Sequence, residues 1–244
     1  MKNKHSPEYY QLIENAYEGT GGFKDGSYLI QYPRESPEKY SARKKMAYYL
    51  NYFKPCIDAH VDPIFEKTPV REWKGAAGDL WKMFMDNVDI TGTNLDETMK
   101  NAAQISKIYG IAFIVVDSAK EQLSKSELTL ADLADNREAL PYAYIVEPSR
   151  IVDIKGDRFG RITYFAFTEA DEKDETKTNT RIMKPDSWEL REGSGTITDG
   201  NIKEKGDWKI GCVPVIPVRS RVTKPRDFFP MSEFYSIAKT NHHI

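Results

Sequence analysis

The stretch DITGTNLDETMKNAAQISKIYGIAFIVVD, residues 89–117, decides the fold. Thr93 and Asn94 are good helix N-caps, and Glu97 stands three residues after Asn94, the spacing of a capping box. Leu95, Met99, Ala102, Ile105 and Tyr109 then recur at steps of three and four, which gathers them on one helical face. Gly110 suits the left-handed conformation that ends a helix, and Lys107 places a cation in the last turn, where the helix dipole favours one. Residues 111–116, IAFIVV, follow with no polar break. A strand so uniformly apolar is expected to be covered on both faces, so the rest of the chain must supply a layer on each side.

Toward the N-terminus, Ser6-Pro7 opens a short helix over residues 6–17, with Tyr9, Leu12, Ile13 and Ala16 on one face. Residues 19–26, GTGGFKDG, read as a flexible loop. They are not a phosphate cradle, because they follow a helix and Asp25 stands after Lys24 where Ser or Thr would hold magnesium. Ser36-Pro37 repeats the cap signal before a long amphipathic helix whose stripe is Met46, Tyr49, Leu50, Phe53, Ile57, Val61, Ile64 and Phe65. Pro55 would cost a straight helix roughly 3 kcal/mol, so a kink or break is expected near Lys54, with both halves facing one core. Thr68-Pro69 ends the segment. Trp73 anchors a turn, Leu80, Trp81, Phe84 and Met85 form a short core-facing helix, and residues 128–140 read as a polar helical excursion.

Composition changes near Pro141. Residues 142–146, 151–154, 161–168, 178–183 and 188–191 are strand-like, joined by turns at 156–160 and 184–187. Residues 193–206 are rich in turn formers, and Pro214 and Pro217 put residues 213–218 at a sheet edge. Residues 141–221 thus read as an antiparallel sheet of short hairpins, and a final helix opens at 230–244 with Phe234, Tyr235, Ile237 and Ala238 inside it. The expected fold class is α+β: N-terminal helices and a buried helix–strand unit, then an antiparallel β region. Four segments follow from this: an N-terminal helix and loop (1–35), a mainly helical region with the central strand (36–140), the β region (141–221) and the start of a helix (222–244).

With 35 Lys and Arg against 37 Asp and Glu, the chain is near neutral, which argues against a dedicated nucleic-acid clamp but is compatible with a surface past which DNA slides. No apolar run approaches the ~18 residues of a membrane span, and the first residues, MKNKHSPEYY, lack the apolar core of a secretory signal. Two cysteines, Cys56 and Cys212, make no disulfide framework, which favours a reducing, cytoplasmic setting.

Little in the sequence carries chemistry. Asp58, His60 and Asp62 are two apart on a helix and cannot converge on a metal. Glu169, Asp171, Glu172, Asp174 and Glu175 lack EF-hand spacing and read as a solvated loop. There is no G-x-S-x-G, no H-E-x-x-H and no zinc pattern among four histidines and two cysteines. Pro185-Asp186 with Glu189-Leu190-Arg191 is faintly similar to a metal-dependent nuclease, but the acids crowd one hairpin and Arg191 stands where a lysine is usual. No catalytic, cofactor-binding or metal residue is assigned.

The run TGTNLDE, a helix, then KIYGIAFIVVD resembles a segment of the portal proteins of tailed bacteriophages. Residues 47–67, AYYLNYFKPCIDAHVDPIFEK, resemble a second segment, and GCVPVIPVR (211–219) with PMSEFYSIAKTNH (230–242) a third. In this order the matches span roughly residues 40 to 244, most of the chain. The resemblance implies a wing-like α+β region of a ring, typically a dodecamer, at one capsid vertex of the virion, assembled in the host cytoplasm. It further implies double-stranded DNA passing through the ring. The implied partners are terminase, head-completion or adaptor proteins and capsid or scaffolding protein, with no membrane. The work would be mechanical, not enzymatic, and no residue catalytic. In that family the chain continues into channel-lining helices, so this polypeptide is expected to be the front part of something longer. The alternatives are another head-morphogenesis or adaptor protein, and the nuclease just described.

Overall fold

A computed structural model describes residues 5–74, 78–117, 140–171, 174–195, 197–198 and 201–240. The fold is α+β. The described residues form seven α-helices: α1 (Pro7–Glu18), α2 (Gly22–Asp25), α3 (Pro37–Lys45), α4 (Phe53–Val61), α5 (Gly78–Asp86), α6 (Leu95–Tyr109) and α7 (Tyr235–Thr240). The strands are β1 (Ile111–Asp117), β2 (Tyr142–Val146), β3 (Ile151–Gly156), β4 (Ile162–Ala170), β5 (Thr178–Met183), β6 (Ser187–Glu192), β7 (Ile202–Asp207) and β8 (Val215–Arg219).

Helix α6 is built as its sequence dictates. The Asn94 side chain accepts from the Glu97 backbone N–H at 2.9 Å, while the Glu97 carboxylate accepts from Asn94 N–H at 3.4 Å, so two orphan donors are satisfied. At the other end Gly110 takes φ 98° and donates to the Ser106 carbonyl at 2.7 Å. A Cβ there would collide with the Pro230 carbonyl oxygen, so both the backbone angle and the crossing chain require glycine. Lys107 reaches not along its own helix but across to the Ser220 carbonyl (2.8 Å) and to Glu233 (3.3 Å).

Strand β1 is the middle of a three-stranded antiparallel sheet, order β2-β1-β8, with Phe113 opposite Val146 on one side and Pro217 on the other. Both its faces are covered. Ile111, Phe113 and Val115 pack with Ile154, Phe165, Phe167, Met183, Phe228 and Phe229. Ile114 packs with Val88, Ala102 and Ala143 under α6. Beyond α6, a third cluster joins α1, α4 and α7 through Ile13, Phe53, Ile57, Ile108, Phe234 and Ala238. The layers therefore run helices, small sheet, large sheet. The large sheet is a five-stranded antiparallel meander, β3-β4-β5-β6-β7.

Several expectations need correction. The strands of residues 141–221 do not all join one sheet: β2 and β8 leave it to flank β1, because the apolar β1 needs a partner at each edge. The turn-rich stretch 193–206 contains most of β7, whose exposed edge position lets IKEKGD stay polar. The loop 19–26 contains the helical turn α2. The long helix is interrupted earlier than Lys54: α3 ends at Lys45, residues 47–52 are not helical, and Pro55 sits in the first turn of α4, where its missing N–H removes no helical bond. Its stripe splits accordingly: Phe53, Ile57 and Val61 are buried, whereas Met46, Leu50 and Ile64 are exposed. Helix α5 buries no residue fully, although Phe84 packs partly under α6 and Trp73 stacks on Trp81 at 5.4 Å. The helical excursion expected at 128–140 lies, apart from Leu140, outside the described residues.

Candidate functional site

Most of the polar groups singled out in the sequence that lie among the described residues are engaged in structural contacts. Asp58 accepts from the Gln104 amide at 3.0 Å and from the Tyr17 hydroxyl at 3.5 Å, His60 Nδ1 meets the Cys56 carbonyl at 2.7 Å, and Asp62 pairs with Lys100 at 2.9 Å. The three point to three different partners. Burial, helped by the charges of Asp58 and Glu18, pushes the Tyr17 hydroxyl up to about 12. Among the described residues no three His, Cys, Asp or Glu side chains are placed to hold a metal ion. On the β5–β6 hairpin, Glu189 is neutralised by Lys184 (2.7 Å) and Arg191 (2.7 Å), and hydrogen bonds from both hold its carboxyl below the usual range. Asp186 contributes its carbonyl to the Trp208 N–H at 3.0 Å. These groups brace a turn.

The acidic run 169–175 is not simply a solvated loop: Glu169 lies within β4, Asp171 just beyond it is buried, and Glu172 lies outside the described residues. Glu169 forms a two-pronged pair with Arg181 of β5 (2.8 and 3.0 Å), and Arg181 also reaches Asp117 at the end of β1 (3.5 Å). The guanidinium lies over the Trp188 ring at 5.0 Å. Burial opposes the charge on Arg181, but the hydrogen bond and charge of Glu169, with Tyr144 and Asp117, outweigh it and raise its pKa. Asp171, also buried, accepts from Asn179 at 2.9 Å and from Lys203. This network bolts the small sheet to the meander. Sequence reading missed it because the partners are far apart along the chain; the only local signal was an arginine inside an otherwise uncharged strand, TNTRIM.

Two surfaces remain that internal packing does not explain. The first is residues 28–52. Ile30, Tyr32, Met46, Tyr48 and Tyr52 are exposed, with Tyr48 at 81% and Met46 at 76%, and they border a cleft of about 700 Å³. Residues 24–54 carry seven Lys or Arg against three Asp or Glu. Arg43 is held by Glu35 (2.7 Å) and lies over the Tyr32 ring at 4.6 Å. Helix α3 buries none of its residues, and its Lys39 and Lys45 are exposed and make no ion pair among the described residues.

The second is an acidic cleft of about 320 Å³ between α1, α6 and the end of β2, lined by Glu14, Tyr17, Glu18, Gln104, Tyr109 and Glu147. It adjoins another of about 390 Å³ that shares Asn101, Ile105 and Glu147 and adds Asp89 and Arg150. Tyr109 is 6% exposed, and its hydroxyl meets no hydrogen-bond partner among the described residues. Burial and then the charges of Glu147, Glu14 and Glu18 push that hydroxyl's pKa up, so the cleft is electrostatically negative where the phenol sits.

No helix of the described residues is long and apolar enough to cross a membrane. No protein-family model matches this chain, and no curated protein is significantly similar to it in sequence.

Proposed function

We propose that the chain is a structural subunit of a phage portal ring, the conduit through which DNA enters and leaves one capsid vertex. In this reading terminase and head-completion proteins dock on the ring, capsid or scaffolding protein surrounds it, and the ATP-driven work belongs to the packaging partner. The observation that carries the proposal is the joining of the three segments that resemble portal proteins. Residues 47–67 supply α4, residues 89–117 supply α6 and β1, and residues 211–219 with 230–242 supply β8 and α7. These lie far apart in sequence, yet β8 pairs along β1, and Ile57, Ile108, Phe234 and Ala238 share one core. Segments that resemble portal proteins in order are therefore also the ones that build the centre of this molecule.

The polar groups support the same reading. Those with any resemblance to catalytic patterns hold turns and sheets together, as described for Glu189 and Asp58. The exposed aromatic surface at 28–52 has the Tyr, Met and Arg content of protein interfaces.

Size-exclusion chromatography and negative-stain microscopy of the purified gene product test the proposal. Rings with a central hole are expected. A monomer at every concentration, or open filaments alone, would count against it. Magnesium or manganese titrated into the chain is expected to give no heat of binding; tight binding would revive the nuclease alternative.

A further inference from the structure

Two surfaces described above are complementary in charge. Helix α3 is nine residues long and buries none of them. It is tied to its own chain through Tyr40 on the Leu29 carbonyl and Arg43 on Glu35 and the Ile30 carbonyl, and the rest of its surface faces solvent. It offers Lys39 and Lys45 to solvent, next to exposed Met46 and Tyr48. The acidic cleft offers the reverse. Glu14 and Glu18 make no ion pair among the described residues, and Tyr109, buried as a residue, opens its hydroxyl into the cleft. The hydroxyl oxygen is not sealed from solvent, so it can take a polar group that enters the cleft.

We propose that α3 of one copy seats against the Glu14–Glu18–Tyr109 cleft of the next, so that copies join head to tail. The inference rests on the ring reading for the identity of the partner. The cleft has no metal-like arrangement of acids, and Ile105 and Ile108 line it beside the carboxylates. Such a lining suits the apolar stem and charged tip of a lysine better than a bare metal ion. A contact that uses two different patches is heterologous, the kind that makes rings when the rotation closes.

The test uses charge exchange on the whole chain. K39E/K45E reverses the basic helix, and E14K/E18K reverses the cleft; all four positions are exposed, and circular dichroism checks that each variant folds. Sedimentation is followed over a concentration series at low and high salt. Each variant alone is expected to self-associate about tenfold or more weakly than the parent, and an equimolar mixture of the two is expected to recover it, because opposite patches then meet. The parent's association should weaken at high salt. Zero-length carbodiimide cross-linking of mixed ¹⁴N- and ¹⁵N-labelled parent chains gives a readout free of mutation. Cross-links from Lys39 or Lys45 to Glu14 or Glu18 of differently labelled copies are expected.

A parent that stays monomeric, variants that associate as well as the parent, or absence of those mixed-label cross-links would overturn the proposal. So would loss of duplex-DNA binding by K39E/K45E with association unchanged, since α3 would then be a nucleic-acid surface. If the charge exchange works but microscopy finds no rings, the portal reading fails while this interface stands. If rings form and ignore the exchange, the interface fails alone.

Discussion

The helix–strand unit of α6 and β1 and the segment of residues 28–52 are both rich in large apolar side chains, and they dispose of them in opposite ways. In the first, Ile111, Phe113 and Val115 are fully covered on one face while Ile114 is covered on the other, and both strand edges are paired. In the second, Ile30, Tyr32, Met46 and Tyr48 face outward, while Tyr28 turns in to accept from the Asn15 amide at 2.7 Å, and Tyr49 and Asn51 turn in to the carbonyls of Ala16 and Tyr17 at 2.7 and 2.8 Å. The share of apolar side chains is similar, though the second is tyrosine-rich and the first aliphatic, and the chief difference lies in whether the chain itself provides the cover. Apolar side chains in the first region hold the monomer together; those in the second are available to another molecule.

Phe113→Ala is the strongest way to break this comparison. It should cost about 3–5 kcal/mol in urea unfolding, because it empties a fully buried site beside Phe165. Tyr48→Ala should change the same measurement by no more than about 0.5 kcal/mol while still weakening self-association. Comparable losses from the two would mean that residues 28–52 belong to the internal core.

Arg181→Ala comes next. It strands Asp117 and Glu169 at the seam between the sheets and should cost about 3–5 kcal/mol, toward the lower end because Glu169 is partly exposed. Gly110→Ala should destabilise by more than about 1 kcal/mol, since φ is positive and the crossing chain at Pro230 leaves no room. Asn94→Ala removes the capping box and should cost about 1 kcal/mol, read from the same unfolding curves.

The smallest effect concerns acid. Burial pushes Asp89 up, but hydrogen bonds from Thr93 and Thr91 outweigh it and bring its pKa from 3.8 to about 2. A carboxyl depressed in the folded state adds stability above its unfolded pKa and loses it as pH falls through the folded one. Asp89→Asn should therefore flatten the fall in stability between pH 3.8 and about 2, measured by thermal melts across that window.

What the sequence disclosed followed from locality. The capping box, the glycine stop and the apolar strand lie within residues 94–116, where periodicity and cap chemistry act over a few residues. The short β strands other than β7 were legible because turn residues such as Pro185-Asp186 punctuate them. Long-range choices were not legible. Nothing in YAYIV at 142–146 or in VIPVR at 215–219 announces that these strands serve β1 rather than the neighbouring hairpins. The break after Lys45 was hidden because Met46, Tyr49 and Phe53 keep helical spacing across it, and pattern alone cannot tell a covered stripe from an exposed one. The acidic cleft draws on α1, α6 and β2, so its carboxylates meet only in three dimensions.

The pairing of β8 along β1 has a consequence for how the polypeptide emerges during synthesis. Residues 111–117 leave the ribosome long before residues 215–219, so the most apolar strand waits with one edge uncovered while the whole meander is made. A nascent chain in that condition is exposed to wrong pairing with other chains. Slowing or truncating translation between β7 and β8 should therefore send the product to chaperones or aggregates rather than to a soluble intermediate.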